Sequence, residues 1–320
     1  MNDTRKPFFT VAIPAYNRLA YTRQAVESVL SQTFIDFELL VVDDFSTEDL
    51  PGYLGSVNDK RVRVYRNEKN LGIVFNWRKC IELARGKWFR FLLNDDVLFK
   101  DALEITTELI EKFKDNYVIV TSGKDFTDEN QLRSFYRTGK RDVTDPYRYL
   151  KNMDEIIQKR KRFTQTWAMP NSYTLLTKDL KELIKSDNYK LVEDNLGKTG
   201  HCVDYFILYA VATKYKTMIE IDLPLYGVRC HPENFSKTYN MNLLYHLNGD
   251  KFVHYLLYSY KGFDKFIMIR HAFYIYFNKI ISNKRKIFST LIFKWTWQLI
   301  VFLFLHIFNI KPNLNLKAYG

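Results

Sequence analysis

The sequence predicts an α/β fold, a doubly wound and mainly parallel sheet followed by a helical, aromatic and basic C-terminal region. Three observations carry that prediction. Apolar runs of strand length alternate with stretches spaced for amphipathic helices. The links between them are short, as expected of βαβ units. Two of the apolar runs end abruptly in paired acids, Asp43-Asp44 and Asp95-Asp96. Acids at the carboxyl end of a buried strand are costly unless they meet a cation or a ligand, and ligands bind at that edge of open α/β sheets.

The elements follow in order. Phe8–Ile13 reads as a buried strand and Pro14-Ala15-Tyr16-Asn17 as the turn after it. Leu19–Thr33 has helical spacing, Phe37–Val42 is a second strand and Arg61–Tyr65 a third. Asn70-Leu71-Gly72 opens a helix running to Ala84, with Gly86 in the position a left-handed C-cap favours. Trp88–Leu93 is a fourth strand, Lys100–Lys114 a helix and Tyr117–Thr121 a fifth strand. Residues 146–190 have a helical look, interrupted by the loop Trp167–Ser172 and a short strand, Tyr173–Leu176. Thr199–Tyr215 is a helix and Thr217–Ile221 a strand, leading into Arg229-Cys230-His231-Pro232-Glu233-Asn234-Phe235-Ser236.

Composition narrows the function. With 320 residues, 47% apolar and 26% charged, the chain can bury a substantial core. No GxGxxG or GxxxxGK[ST] loop follows any strand, which argues against a dinucleotide enzyme and a P-loop NTPase. Phosphate bound without such a cradle is neutralised by metal or side chains. Cys80, Cys202 and Cys230 form no CxxC pair and read as free thiols of a reducing compartment. The N-terminal stretch has no signal-peptide core, so a cytoplasmic location is expected.

The net charge of +12 is concentrated near the C-terminus, where residues 251–320 hold eleven Lys and Arg against the single acid Asp264. The basic run Lys284-Arg285-Lys286 precedes the largely apolar stretch Ile287–Ile310, which Lys294 interrupts. That pattern predicts a helix lying in an anionic membrane interface, on the inner face of the cell membrane, rather than a simple span. A packed cap or an oligomer contact through these C-terminal helices is the alternative. Nucleic acid is not expected as a partner, because the basic residues flank an apolar helix instead of tracking a phosphate groove.

Val11–Asn17, Ser28–Phe34, Phe37–Ser46 and Asn94-Asp95-Asp96 occur in order, with Asp204 in an apolar helix and Arg229–Ser236 beyond. Together they resemble the inverting family 2 glycosyltransferases of the GT-A fold, of the type that builds bacterial surface polysaccharides such as capsule and lipopolysaccharide. The likeness covers residues 8–236 and implies a catalytic domain over 1–238 and a separate helical region over 239–320. It implies a nucleotide-sugar donor, UDP-linked by preference, and a hydroxyl of a glycan or lipid-linked acceptor. Pro14, Ala15 and Tyr16 match the turn that lines the base, with Tyr16 stacking on it. Asp44 matches the acid that accepts from the base, and Asn76 a polar contact to the nucleotide.

Asn94, Asp95 and Asp96 match the D-x-D motif, with Asp95 meeting the ribose and Asp96 holding Mg²⁺ or Mn²⁺. Asn94 departs from the acid many members carry there. His231 matches a histidine that closes over the diphosphate and can ligate the metal. Asp204 matches the catalytic base, and its apolar neighbours Val203, Tyr205, Phe206 and Leu208 suit a base raised by desolvation. Where many members place Glu before this Asp, the chain has Val203, which leaves Glu193 and Asp194 as rivals. A zinc site from His201, Cys202, Cys230 and His231 is a poorer alternative, since adjacent ligands strain tetrahedral geometry. The competing class is a catalytically inactive binding protein on the same fold.

Overall fold

The computed structural model describes residues 6–113, 118–127, 141–144, 170–197, 200, 203–212, 214–215 and 218–232. The expected C-terminal membrane helix, His201 and Cys202 lie outside the described residues.

The described chain runs β1 (Phe9–Ala15), α1 (Leu19–Leu30), β2 (Phe37–Asp43), α2 (Leu50–Ser56), β3 (Val62–Arg66) and α3 (Ile73–Leu83). It continues through β4 (Trp88–Phe91), β5 (Val97–Leu98), α4 (Ala102–Lys112), β6 (Val118–Phe126) and β7 (Arg141–Thr144). A 3-10 turn (Pro170–Ser172) then leads into β8 (Tyr173–Leu176), α5 (Thr177–Leu183), α6 (Asp187–Leu196), α7 (Val203–Ala212) and β9 (Met218–Arg229).

The strands form one sheet in the order β3-β2-β1-β4-β8-β6-β9-β5, with β7 also on β9. Strands β3, β2, β1 and β4 are parallel, so their carboxyl ends line one edge. The register pairs Ala15 with Asp43, which sets the turn after β1 beside the acids after β2. The second half of the sheet is mixed. β8 inserts antiparallel between β4 and β6, while β9 runs parallel to β6 and antiparallel to β5. Pairing of Gly227 with Val97 carries the end of β9 up to the loop that holds Asp95 and Asp96.

All of β1 and β2 is buried, as near-continuous apolar strands covered on both faces should be. Alternation along β1 splits the core. Val11 and Ile13 face Ala25, Val26 and Val29 of α1, whereas Ala12 joins Val74, Trp77 and Ile81 of α3 on the opposite side. The second layer also takes in Val203, Phe206 and Ile207 of α7.

Several expectations needed adjustment. The helix expected from Asn70 begins at Ile73, because Gly72 sits at φ 85, where a side chain would be strained. Gly86 is not a left-handed cap: a Cβ there would stand 2.3 Å from the Thr10 nitrogen, so the residue is small to let the chain pass β1. The sequence gives no periodic signal for α2, which contains Pro51, Gly52 and Gly55; Asp49 starts it by accepting from the Gly52 N–H at 3.0 Å. Within the stretch expected to be helical up to residue 190, α5 and the start of α6 are present after the short strand.

Candidate functional site

The loops after β1 and β2 are laced together at the sheet edge. The Asp44 N–H donates to the Ala15 carbonyl at 2.8 Å, and the Asn17 N–H donates to Ser46 Oγ at 2.7 Å. Asn17 Oδ1 accepts from the Thr47 N–H at 2.8 Å. Asn17, Arg18 and Phe45 all have left-handed backbone, at φ 54, 60 and 64. Such strain costs on the order of 1 kcal/mol or more per non-glycine residue and is held in place by surrounding bonds. Pro14 and Ala15 are buried, whereas Tyr16 is 46% exposed and presents its ring at this edge.

The two acids after β2 have different tasks. Asp43 holds the turn that follows it, accepting from the Ser46 N–H three residues on at 2.9 Å, and pairs with Arg66. Asp44 gathers the loop before α3. Its Oδ1 accepts from Leu71 N and Asn67 Nδ2, both at 2.8 Å, and its Oδ2 accepts from Gly72 N at 2.9 Å. A carboxylate has about four acceptor directions, so Oδ2 retains one for a further donor. Asn76 is buried beneath, donating to the Val42 carbonyl at 3.1 Å and accepting from Asn67 at 3.0 Å. It supports the Asp44 loop from below.

Asn94, Asp95 and Asp96 form the turn after β4, all buried. Asn94 donates to the Asn17 carbonyl at 3.2 Å and to Thr22 Oγ1 at 3.1 Å. A carboxylate could not make those donations, which accounts for the departure from Asp. Asp95 Oδ2 lies 2.5 Å from Arg18 Nη1 and 3.2 Å from His231 Nε2. Asp96 is turned away: Oδ1 accepts from the Arg229 N–H at 2.9 Å, and Oδ2 accepts from Asn171 Nδ2. Burial and the neighbouring Asp95 charge push the Asp96 carboxyl well above the usual carboxylate range, against the pull of those two donors.

Three residues that pattern reading did not single out build this turn. Asn171, in the 3-10 turn, accepts from the Leu93 N–H at 2.7 Å, donates to Asp96 and receives Arg90 Nη2 on its carbonyl at 2.6 Å. Arg90 is fully buried in β4, and burial lowers its pKa to about 10, leaving it charged at neutral pH. Arg229 clamps the turn from β9, donating to the Asp95 carbonyl at 3.0 Å with its guanidinium over Tyr21 and Phe126. Their only sequence signal was proximity to motif strings, since a tertiary partner leaves no periodicity.

Among the described residues no group of three or more His, Cys, Asp or Glu side chains is placed to hold a metal ion. The adjacent Asp95 and Asp96 carboxylates, with His231 beside Asp95, would supply part of a shell for Mg²⁺ or Mn²⁺, the rest coming from water and phosphate oxygens. A cation also answers the electrostatic cost of two adjacent buried acids.

Asp204 lies in the first turn of α7, half-buried, where the helix N-terminus favours negative charge. Val203, Phe206 and Leu208 are turned into the core. The Asp204 charge adds to burial in raising the Tyr173 hydroxyl pKa, which places the acid near the strand that follows Asn171. A Cβ on Gly200 would meet Ile73, and one on Gly72 would meet the Gly197 carbonyl, so the approach to α7 packs on the loop that Asp44 organises. Of the rivals, Glu193 is buried with both oxygens 2.8 Å from Arg78 Nη1, a closed ion pair. Asp194 is exposed on α6. The half-buried Cys230 is a free thiol, and its N–H donates to the Phe126 carbonyl at 2.8 Å.

The family described as "Glycosyl transferase family 2" matches residues 10–183. A chondroitin synthase of Escherichia coli is 34% identical over 132 residues, covering 41% of this chain and 19% of that protein. A putative teichuronic acid biosynthesis glycosyltransferase, TuaG of Bacillus subtilis, is 36% identical over 107 residues, 33% of this chain and 42% of that one. The chain thus spans less than half the length of these relatives. Staphylococcus aureus TarS 1–349 in complex with UDP-GlcNAc has the same fold, with a TM-score of 0.64 at 16% identity over 95% of this chain and 81% of that one.

Proposed function

The chain belongs to glycosyltransferase family 2, and from that premise we propose that it transfers a sugar from a nucleoside-diphosphate sugar to an acceptor hydroxyl with inversion. A UDP-linked donor and a glycan or lipid-linked acceptor of bacterial polysaccharide synthesis are the substrate classes we favour, in keeping with the relatives' names. The observation that carries the reading is the meeting of Asp95 with His231 and with Arg18, two residues along the chain from an exposed Tyr16.

Tyr16 stacks on the base, and the free acceptor direction of Asp44 Oδ2 takes an N–H from the base edge. We assign Asp96 and Asp95 as the carboxylates that would hold Mg²⁺ or Mn²⁺, with His231 beside Asp95. Asp96 also accepts from Asn171 and Arg229, one bond on each oxygen, which keeps the turn in shape and leaves each oxygen a further acceptor direction. A bound divalent ion supplies charge neutralisation at the diphosphate. Asp204 accepts the proton of the acceptor hydroxyl as its oxygen bonds to the anomeric carbon. The bond from that carbon to the diphosphate breaks, and its electron pair leaves with the nucleoside diphosphate.

The test follows UDP release from a panel of UDP-sugars with Mn²⁺ and a lipid-linked acceptor. Asp204→Asn is expected to bind UDP as the wild type does but to slow transfer by on the order of 10²–10⁴. Normal turnover in that variant would remove Asp204 from the mechanism, and release of no nucleotide by the wild type from any donor would favour a binding protein.

A further inference from the structure

Phe45 is held in an arrangement that the folded chain alone does not reward. Its backbone is left-handed at φ 64, a region where glycine sits without strain and a bulky side chain does not. Its ring is 44% exposed, so it contributes little to the core. Both features are unfavourable for stability, and strained, exposed residues of this kind cluster where a ligand is held.

The surroundings fix the ring. The Arg66 guanidinium stands 4.9 Å from its centroid, and Arg66 is itself tied to Asp43 and to the Ser46 carbonyl, the latter at 3.0 Å. One face of Phe45 is therefore backed by an anchored cation, and the exposed area belongs to the rest of the ring. Tyr16 leaves β1 at the same level, because the Asp44 N–H is bonded to the Ala15 carbonyl. The bonds from Asn17 to Ser46 and Thr47 keep the two loops side by side. Two exposed aromatic rings thus stand on neighbouring, stitched loops at the edge where Asp44 offers its remaining acceptor.

We propose that Phe45 is a second aromatic wall for the nucleobase, set opposite or alongside Tyr16 and stiffened by Arg66, so that the base is recognised by stacking as well as by Asp44. This rests on the nucleotide-sugar reading of the site and adds a specificity-determining residue to it. The ligand chemistry is a planar heterocycle joined to a diphosphate.

Phe45→Gly separates this role from a structural one, because glycine relieves the left-handed backbone and removes the ring. Wild type and variant are titrated calorimetrically with UDP and with pyrophosphate, each with Mn²⁺, and their thermal unfolding is recorded. The expected result is an unfolding temperature equal to or above wild type, UDP binding weaker by roughly 5- to 150-fold, the range for losing one base-stacking contact, and unchanged pyrophosphate binding. Phe45→Tyr, which keeps the ring, should bind UDP as the wild type does. Equal UDP affinity in wild type and Phe45→Gly would overturn the stacking role while leaving the nucleotide reading intact. A parallel loss of pyrophosphate affinity would overturn it too, by showing that the site's shape was lost. A wild type that binds neither UDP nor GDP, CDP or ADP would overturn both readings together.

Discussion

Asp44 shows how one buried side chain serves both architecture and recognition. Three of its acceptor directions collect the N–H groups of Leu71 and Gly72 and the Asn67 amide, and one is left over. Asp44→Ala strands those donors, and a buried unsatisfied donor costs about 1–3 kcal/mol. Urea denaturation should show a loss of at least about 2 kcal/mol, together with weakened UDP binding; unchanged stability would mean that the loop is held by other contacts. The role of an acid at the end of β2 was legible in the sequence because paired carboxylates after an apolar strand need an explanation. The division of labour between Asp43 and Asp44 was not, since it depends on where Ser46, Arg66 and Asn67 arrive in space. The same holds at the turn after β4. The motif marked Asp95 and Asp96 as a pair, but not that Asp95 would meet His231 and Arg18 while Asp96 meets Asn171 and Arg229. The backbone strain at Phe45 left no mark in the sequence, because only glycine advertises a left-handed position.

At the scale of elements, the parallel half of the sheet could be read directly. Strands β1 and β2 are continuous buried runs, β3 mixes Val and Tyr with Arg at the outer edge of the sheet, and α1 and α3 carry clear 3.6-residue spacing. The antiparallel insertion of β8 and the long climb of β9 were harder to foresee, because strand pairing across the chain is decided by tertiary partners. It is that insertion which brings the 3-10 turn of Asn171 against Leu93 and Asp96, and that climb which brings Arg229 and His231 to the acids. Gly86 was legible as a glycine with a purpose, but the purpose is close approach to β1. Gly86→Ala drives a Cβ to 2.4 Å from the Phe9 carbonyl carbon and 2.3 Å from Thr10 N, both backbone atoms that cannot swing away. Overpacking of this kind costs about 1–3 kcal/mol. Chemical denaturation with an unchanged midpoint would show that β1 can shift without loss.

For the molecule as a whole, the sheet edge gathers side chains from distant parts of the chain: Tyr16 and Arg18 after β1, Asp44 after β2, Asp95 after β4 and His231 after β9. Burial of the acids is tolerable in the folded chain through Arg18, Arg229 and Asn171, and on the proposed reading a divalent cation would offset it further. Among the described residues no helix is long and apolar enough to cross a membrane. The account stands on the claim that this edge binds a nucleoside diphosphate with a divalent metal held by Asp95. Calorimetric titration of UDP into wild type and Asp95→Ala, each with and without Mn²⁺, tests it most directly. Wild type should bind UDP more tightly with Mn²⁺ by at least about an order of magnitude, and Asp95→Ala should bind weakly and equally in both conditions. Mn²⁺-enhanced binding that persists in Asp95→Ala, or wild-type affinity indifferent to the metal, would contradict the account.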